Sequence, residues 1–276
     1  MAEISAAAVK SLREKTGLPM MECKKALQES AGDETAAVEW LRKQGIKTKE
    51  TRIGRETSAG RIAVYADIAA GVGAMVEFKC ESAPVANSPE IRQYANDLVK
   101  VLATGPGAAS ADQLLAQPSV SKPGVTLGDQ KDEMFNRIRE VFEVGRMIRI
   151  NAPCGGYAHH DGSLGALVEV SGGTNEAAKD IAMHVAAQKP LVVSKEDVDA
   201  ATIQKEREIL TEAARGEGKP ENIIAKMVEG RLKNFFAERV LLEQPFVKDD
   251  SKTVGKVAQD AKLKVVRFVR WELGKD

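Results

Sequence analysis

The sequence contains few cysteines and no surplus of either charge. Three cysteines (Cys23, Cys80 and Cys154) occur among 276 residues, odd in number and far apart. This pattern argues against a disulfide framework and predicts reduced thiols in a cytoplasmic protein. The 40 basic residues are balanced by 40 acidic ones. Because general affinity for nucleic acid needs an excess of Lys and Arg, we expect no direct nucleic-acid binding.

Long apolar runs, targeting segments and short catalytic motifs are absent as well. No stretch reaches about 18 consecutive apolar residues, so no membrane span is predicted. The start, Met1-Ala2-Glu3-Ile4, lacks the basic and apolar regions of a secretory signal. There is no Gly-rich phosphate loop, CxxC pair or HExxH motif. With 43% hydrophobic residues, the composition predicts a soluble protein of two or three modest domains, and we expect no bound nucleotide, metal or cofactor.

Helical periodicity dominates the first part of the chain. It predicts three short helices over 3–45, the third ending at Gly45. The basic segment 43–61 is interpreted as a solvated linker, with a phosphate-contacting strip as the alternative. In the second helix, stepping 100° per residue places Cys23 and Leu27 close to Met20, on the inward stripe, and Met21 well off it. Met20 is therefore expected in the core. An exposed, polarisable Met21 can adapt to a partner surface, although its position alone also fits an incidental surface residue.

The middle of the chain contains an internal duplication. Tyr65 precedes the segment 73–78 by the same distance as Tyr157 precedes the segment 165–170, and both segments follow the pattern Gly-Ala-(Met/Leu)-Val-Glu-(Phe/Val). Each copy predicts a β-hairpin with a mostly apolar second strand, followed by a helix. Two such copies predict two related α+β subdomains.

Further helices and one strand are predicted towards the C-terminus. A helix is expected from about Gln130 to Val144. A charged helix up to Arg215, a Gly/Pro turn and a second helix with an apolar stripe predict an antiparallel helical hairpin. A last helix over 254–261 precedes an alternating segment, 264–273, which is typical of a half-buried edge strand.

Reactive side chains cluster most densely at Cys154, His159, His160 and Asp161. Thiolate and imidazole both suit zinc, so a metal site is one interpretation. The other is a polar hairpin tip, since adjacent strand residues point to opposite faces and the two histidines would not converge on one ion. His184 lies on the apolar side of its helix and is expected to be a buried, hydrogen-bonded histidine. No catalytic site is predicted.

Several strings, in order, resemble those of elongation factor Ts: TGLPMMECKKAL (16–27), IAMHVAA (181–187), GKP (218–220) with KMVEGR (226–231), and LEQPFV (242–247). The resemblance covers nearly the whole chain. It implies an α+β protein with four parts: a ubiquitin-associated-like three-helix domain with its linker (1–54), core subdomain N (55–145), core subdomain C (146–192 and 240–276) and an inserted antiparallel coiled coil (193–239).

The resemblance also implies a function. Members of the family bind elongation factor Tu (hereafter Tu), GDP-bound or nucleotide-free, and promote GDP release without covalent chemistry or a cofactor. By resemblance, Arg13, Met20 and Met21 contact the nucleotide-binding domain of Tu. His159, in a Tyr-x-His pattern, approaches the same domain from the core. The coiled coil is compatible with a homodimer but does not require one.

One segment departs from the family pattern. The family carries Thr-Asp-Phe-Val, whose Asp and Phe wedge against Tu and disturb its magnesium and phosphate site; this chain has Ser82-Ala83-Pro84-Val85. Exchange is therefore expected to depend less on this segment. Two alternatives stay open: a divergent paralogue that binds Tu or a ubiquitin-like partner without efficient exchange, and a metal-dependent enzyme built on the Cys154 cluster.

Overall fold

The computed structural model describes residues 4–50, 54–218 and 220–275, and part of the predicted linker over 43–61 lies outside these ranges. Helices and small antiparallel sheets make up the fold, which confirms the α+β class. The chain divides into two units: residues 1–61 with 76–147, and residues 62–75 with 148–276. Among the described residues, no helix is both long and apolar enough to cross a membrane.

The chain begins with three helices, α1 (Ala6–Thr16), α2 (Met20–Glu29) and α3 (Glu34–Glu50). Ser5 accepts a hydrogen bond from the Ala8 amide at 3.2 Å and so caps α1. The apolar faces of the three helices meet in one small core made of Val9, Leu12, Leu18, Cys23, Ala26, Leu27, Ala37 and Leu41. The helical periodicity of the sequence is explained by this shared core.

Gly45 does not end α3, so that prediction is wrong; the helix continues to Glu50. A Cβ atom added at Gly45 would lie 1.9 Å from Oδ1 of Asn136. Glycine, which often follows a helix, here lies inside one, where it leaves room for the Asn136 side chain beside the backbone.

The next elements are β1 (Ala59–Asp67), β2 (Val72–Cys80), α4 (Ala83–Ala86), α5 (Pro89–Thr104), α6 (Ala111–Leu115), α7 (Leu127–Ile138) and β3 (Glu143–Ile150). The strands form a sheet in the order β1-β2-β3. Asp67 shapes the turn of the β1–β2 hairpin, because its Oδ1 accepts the amides of Ala69 and Ala70 at 2.8 and 3.2 Å. The first predicted hairpin and its following helix are thus present.

The helix predicted from about Gln130 to Val144 is wrong at both ends. A capping box between Thr126 and Asp129 starts α7 at Leu127, and Arg139 ends it in the left-handed conformation, at φ 64°. Glu143 already belongs to β3, which the sequence did not predict. Strand β3 is joined to β2 by an ion pair between its Arg146 and Glu77 of β2, which lies 69 positions earlier in the chain.

The second unit contains β4 (Cys154–Ala158), β5 (Leu164–Gly172), α8 (Asn175–Gln188), α9 (Ala200–Gly216), α10 (Glu221–Arg239), β6 (Pro245–Phe246), β7 (Asp249–Thr253), α11 (Val254–Asp260) and β8 (Leu263–Glu272). The sheet order β4-β5-β8 puts β8 at an edge, as predicted. Tyr157 pairs with Ala166 across the second hairpin, and Val168 pairs with Phe268 across β5 and β8. Helix α8 contributes Ala178, Ile181, Ala182 and Val185 to the core on this sheet.

Helices α9 and α10 form the predicted antiparallel hairpin. Arg207 pairs with Glu229 at 2.5 Å, whereas Arg215, further along α9, pairs with Glu221 at the start of α10 at 2.8 Å. The partners therefore run in opposite directions. The apolar seam consists of Leu210, Ala214, Ile224, Val228, Leu232 and Phe236. Of the predicted turn, Lys219 lies outside the described residues.

His184 is fully buried and fully hydrogen-bonded, as predicted. Its Nδ1 accepts the Val247 amide at 3.1 Å, so Nε2 carries the proton and donates to Oε1 of Gln244 at 2.9 Å. The Gln244 side-chain amide donates to the carbonyls of Gln188 and Glu238 at 3.3 and 3.0 Å. This network joins the C-terminal ends of α8 and α10.

Candidate partner-binding site

The first turn of α2 carries two exposed methionines. Met20 is 50% exposed and Met21 is 72% exposed. The exposure of Met21 confirms the prediction, whereas the placement of Met20 in the core is wrong. Helical side chains lean towards the N-terminus of their helix, so the side chain of Met20, the first helical residue, projects beyond the end of α2. Both flexible apolar side chains are thus available to a partner.

Helix α2 is held rigidly beneath these methionines. Cys23, Ala26 and Leu27 are buried in the three-helix core. The chain turns from α1 into α2 at Gly17, whose φ of 68° favours glycine, and the Gly17 amide donates to the Arg13 carbonyl at 2.8 Å. The Arg13 side chain is exposed at the end of α1. An arginine and two methionines therefore lie on the outside of one small, packed domain.

The segment Ser82–Val85 leads from β2 into the single turn of α4. Ala83 and Pro84 are exposed, and Val85 is partly exposed. Pro84 lies in the first turn of α4, where its missing amide hydrogen costs no helical hydrogen bond. The surface that this segment presents is small, uncharged and conformationally restricted.

Side chains from distant parts of the chain fix this segment. Glu140 accepts the Ser82 amide at 3.1 Å and the Ser82 hydroxyl at 2.5 Å, one on each carboxylate oxygen. Arg61 donates to the Ala86 carbonyl at 3.0 Å. Sequence reasoning missed Glu140, and no local signal could have found it, since it lies 58 positions from Ser82.

His159 lies in the turn after β4 and is partly exposed. Its amide donates to the Leu164 carbonyl at 2.9 Å, and its Nδ1 accepts the His160 amide at 3.0 Å. Because Nδ1 is occupied, the neutral ring carries its proton on Nε2. The nitrogen left for a partner is a hydrogen-bond donor.

His159 and His160 do not point apart, so that expectation is wrong. Their ring centroids are 4.3 Å apart in an edge-to-face arrangement. Strand β4 ends at Ala158, and both histidines follow it in a turn, where the alternation of a strand no longer holds.

The other two residues of the proposed metal cluster, Cys154 and Asp161, are occupied by other interactions. Cys154 is fully buried in β4, and burial raises the pKa of its thiol to about 11, which keeps it protonated. Asp161 accepts the Ser163 amide and hydroxyl at 2.8 and 2.7 Å, and these bonds lower the pKa of the Asp161 carboxyl. In the part of the chain that the structure describes, no group of three His, Cys, Asp or Glu side chains is placed to hold a metal ion.

The candidate site residues are divided between the two units. Arg13, Met20, Met21 and the Ser82–Val85 segment belong to the first unit, and His159 belongs to the second. None of them forms an arrangement of nucleophile, base and orienting group. They present two apolar flexible side chains, one guanidinium, one imidazole donor and a small uncharged segment.

Comparison with known proteins gives a consistent result. The family model described as Elongation factor TS matches residues 81–275. Elongation factor Ts of Methylococcus capsulatus is 44% identical over 273 residues, which cover 98% of this chain and 92% of that protein. Elongation factor Ts of Thioalkalivibrio sulfidiphilus is 41% identical over 274 residues, with the same coverage. Elongation factor Ts of Micrococcus luteus is 42% identical over 283 residues, 99% of this chain and all of that protein.

These relatives extend the match through the three N-terminal helices, which the family model does not cover. Identity above 40% over nearly the full length of both chains leaves no room for a different fold with a chance motif. The chain belongs to the elongation factor Ts family of translation elongation factors.

Proposed function

We propose that this chain binds elongation factor Tu in its GDP-bound and nucleotide-free forms and promotes GDP release during the elongation phase of protein synthesis in the cytoplasm. The observation that carries the proposal is the near-full-length similarity to proteins named elongation factor Ts. The proposed activity needs no covalent chemistry and no cofactor, only a surface whose affinity differs between states of the partner.

Met20 and Met21 are proposed as the apolar contact with the nucleotide-binding domain of Tu, and Arg13 of helix α1 as a further contact with the same domain. Exposed methionines pack against surfaces of varied shape, and α2 holds them on a rigid core. His159 is proposed as a second contact, made from the other unit through its Nε2 donor. Together these residues would hold Tu at two places.

GDP release follows if Tu bound in this way cannot keep its magnesium and phosphate ligands in place. GTPases hold the nucleotide through the phosphates and a magnesium ion, so a small displacement of those ligands raises the GDP off-rate. The resemblance implies Thr-Asp-Phe-Val where this chain has Ser82–Val85, and the weaker contribution of this segment to exchange stays a prediction. Because Ala83 and Pro84 present no charge and no aromatic ring, we propose that the two contacts supply more of the effect than this segment does.

We retain the four-part division proposed from the sequence, with boundaries at 1–54, 55–145, 146–192 with 240–276, and 193–239.

The inserted helical hairpin is also proposed as a place where two copies associate. Ile209 and Ile223 on its two helices are 51% and 45% exposed, and such residues favour burial against a second copy. Light scattering of wild type and of Ile209→Ser/Ile223→Ser measures this directly: the double variant is expected to be monomeric.

Release of fluorescent GDP from the cognate Tu tests the main proposal. In the presence of excess unlabelled nucleotide, the release rate is expected to rise with the concentration of this protein and to saturate. Tu with unlabelled nucleotide alone gives the baseline. A protein that forms a complex with Tu, seen by size-exclusion chromatography, yet leaves the release rate at that baseline would instead establish the divergent paralogue.

A further inference from the structure

Two consecutive residues at the C-terminal end of α7, Arg139 and Glu140, reach both parts of the proposed contact surface in the first unit. Arg139 pairs with Glu22 of α2, two positions after Met20. Glu140 accepts two hydrogen bonds from Ser82, at the start of the Ser82–Val85 segment. We refer to Arg139–Glu140 as the α7 connector.

The backbone of the α7 connector directs its two side chains to different elements. Arg139 has a φ of 64°, in the left-handed region that residues other than glycine rarely adopt. Its amide still donates to the Phe135 carbonyl at 2.8 Å and closes the helix. A left-handed non-glycine residue persists only where its surroundings hold it, and the ion pair with Glu22 is one such restraint. The side chains of Arg139 and Glu22 are 24% and 40% exposed.

Glu140 takes part in a reciprocal pair of hydrogen bonds. While Glu140 accepts the Ser82 amide and hydroxyl, Glu81 accepts the amide of Val141 at 2.8 Å. Each of the two adjoining segments thus supplies a carboxylate that binds the backbone of the other. Charge-assisted bonds of this kind are short and directional. The Ser82–Val85 segment is consequently fixed to the end of α7 rather than left as a free loop.

The last turn of α7 makes a further contact with the N-terminal helices. A Cβ atom added at Gly17, between α1 and α2, would lie 2.9 Å from Cδ of Arg137, so this side chain lies directly over the turn. Arg137 also pairs with Glu90 at the start of α5. One end of one helix therefore contacts the base of the methionine-bearing helix and the element that follows the Ser82–Val85 segment.

We infer that Arg139 and Glu140 are positioning residues for nucleotide exchange: they fix the methionines of α2 relative to the Ser82–Val85 segment, so that this segment adds its own, smaller displacement of Tu to that of the two contacts. This inference rests on the proposed function. Neither residue needs to contact Tu. Breaking either link leaves both contact surfaces intact and removes their fixed spacing, which affects the step after binding more than binding itself.

Stopped-flow release of fluorescent GDP, measured over a concentration series of each variant, separates the maximal rate from the half-saturating concentration. We expect Glu140→Gln and Arg139→Ala each to lower the maximal rate about tenfold, equivalent to about 1.4 kcal/mol. The half-saturating concentration should change less than about threefold, because the methionines still bind Tu. Gln keeps the size of Glu but replaces one of its two acceptor oxygens with an amide NH2 group, which faces a donor of Ser82.

Charge exchange gives a readout that loss of folding would not produce. Glu22→Arg and Arg139→Glu are each expected to lower the maximal rate, and the two together, which re-form the ion pair with reversed charges, to restore at least half of it. Arg267→Ala is the matched control, since it removes a pair with Glu169 at 2.6 Å in the second unit. Thermal melts of every variant accompany the kinetics.

The outcomes separate the two proposals. A wild type that leaves GDP release unchanged overturns the proposed function and, with it, this inference. A wild type that accelerates release while Glu140→Gln and Arg139→Ala reach the same maximal rate overturns the inference alone. A rise in the half-saturating concentration with no change in the maximal rate also overturns the inference, because it would make the α7 connector a binding contact. A lowered maximal rate, rescued by the charge exchange, supports it.

Discussion

Met20 and Met21 differ from the other apolar residues of α2 because at least half of the surface of each is exposed. Their neighbours Cys23, Ala26 and Leu27 are buried and set the stability of the small N-terminal domain. The methionines start the same helix with 50% and 72% of their surface exposed. If the methionines bind Tu as proposed, stability and partner binding depend on different residues of one helix, and mutation can separate them.

Met21→Ala is expected to weaken binding to Tu by about 1–2 kcal/mol, the range of an interface residue of moderate weight, measured by calorimetry. Its melting temperature should stay close to that of wild type. Met20→Ala should also cost less than about 1 kcal/mol of folding free energy, because its side chain is half exposed. Leu27→Ala is the contrasting control, expected to cost about 2–5 kcal/mol since Leu27 is buried. Melts in which Met20→Ala resembles Leu27→Ala would show that Met20 is a core residue.

Ala83 and Pro84 are exposed, so they can be replaced without disturbing the core. Ala83→Asp with Pro84→Phe introduces the Asp-Phe pair that the resemblance implies for the family, and we expect it to speed GDP release from Tu, because a carboxylate and a ring would reach the magnesium and phosphate site. Stopped-flow GDP release measures the effect. Pro84→Ala alone serves as control: if this single change abolishes stimulation, Ser82–Val85 already acts as the wedge in a different chemical form.

At the scale of elements, one ion pair joins β2 to β3. Glu77 is 2% exposed and accepts two hydrogen bonds from the side chain of Arg146, from Nε at 3.1 Å and from Nη2 at 2.7 Å. Arg146→Ala would remove the guanidinium from a buried carboxylate and leave it the backbone amide of residue 146, at 3.4 Å. We expect it to lower the free energy of unfolding by about 3–5 kcal/mol, measured by urea denaturation. Arg146→Lys keeps the charge but loses the bidentate geometry, so its free energy of unfolding should lie between those of wild type and Arg146→Ala. Equal stability of all three proteins would contradict this.

The same pair sets an acid limit for the first unit. Burial raises the pKa of Glu77, but the hydrogen bonds and charge of Arg146 outweigh it and hold the pKa below the ordinary value of 4.5. Because the folded pKa lies below the unfolded one, the stabilisation is complete above about pH 4.5 and is lost as the pH falls through the folded value. Strand pairing between β2 and β3 is thus linked to the charge on one carboxylate.

His184 gives the second unit a pH dependence at higher pH. Burial lowers the pKa of its imidazole below the ordinary 6.5, although the bond to Gln244 opposes this. As the pH is lowered, His184 is protonated in the unfolded chain before it is protonated in the folded one. The free energy of unfolding should therefore decrease as the pH drops from about 6.5, by at most about 1.4 kcal/mol per pH unit. Urea titrations at several pH values measure the slope. His159→Gln/His160→Gln should retain it and His184→Phe should lose it; a slope that follows the turn histidines would contradict the assignment.

At the scale of the whole molecule, exchange is a coupling between two ligands of Tu. If this protein raises the GDP off-rate by weakening GDP binding, then GDP must weaken the binding of this protein by the same factor. We therefore expect a lower affinity for Tu·GDP than for nucleotide-free Tu, and the affinity ratio to equal the ratio of GDP dissociation constants with and without this protein. Calorimetry on both forms of Tu measures the first ratio. Equal affinities for both forms would exclude thermodynamic coupling.

Much of the fold could be predicted because its signals are local. The three N-terminal helices, both hairpins, α8, the helical hairpin and the edge strand β8 each follow from a periodic apolar pattern bounded by turn residues. Strand β3 could not be found in this way, since its Arg146 is ordered by Glu77, 69 positions earlier in the chain. The fully buried His184 was predictable because it lies on an apolar helical face, whereas its partner Gln244, 60 positions away, was not.

By itself the sequence determined the family, the order of helices and strands, and which face of each element is apolar, because these depend on residue type and spacing. Only the tertiary structure decided what covers each face. Met20 shares the apolar stripe of α2 but projects past its end, Gly45 lies inside α3 with the Asn136 side chain close to its backbone, and Ser82 is held by a carboxylate far along the chain. Such contacts join residues that folding alone brings together, so spacing along the chain carries no trace of them.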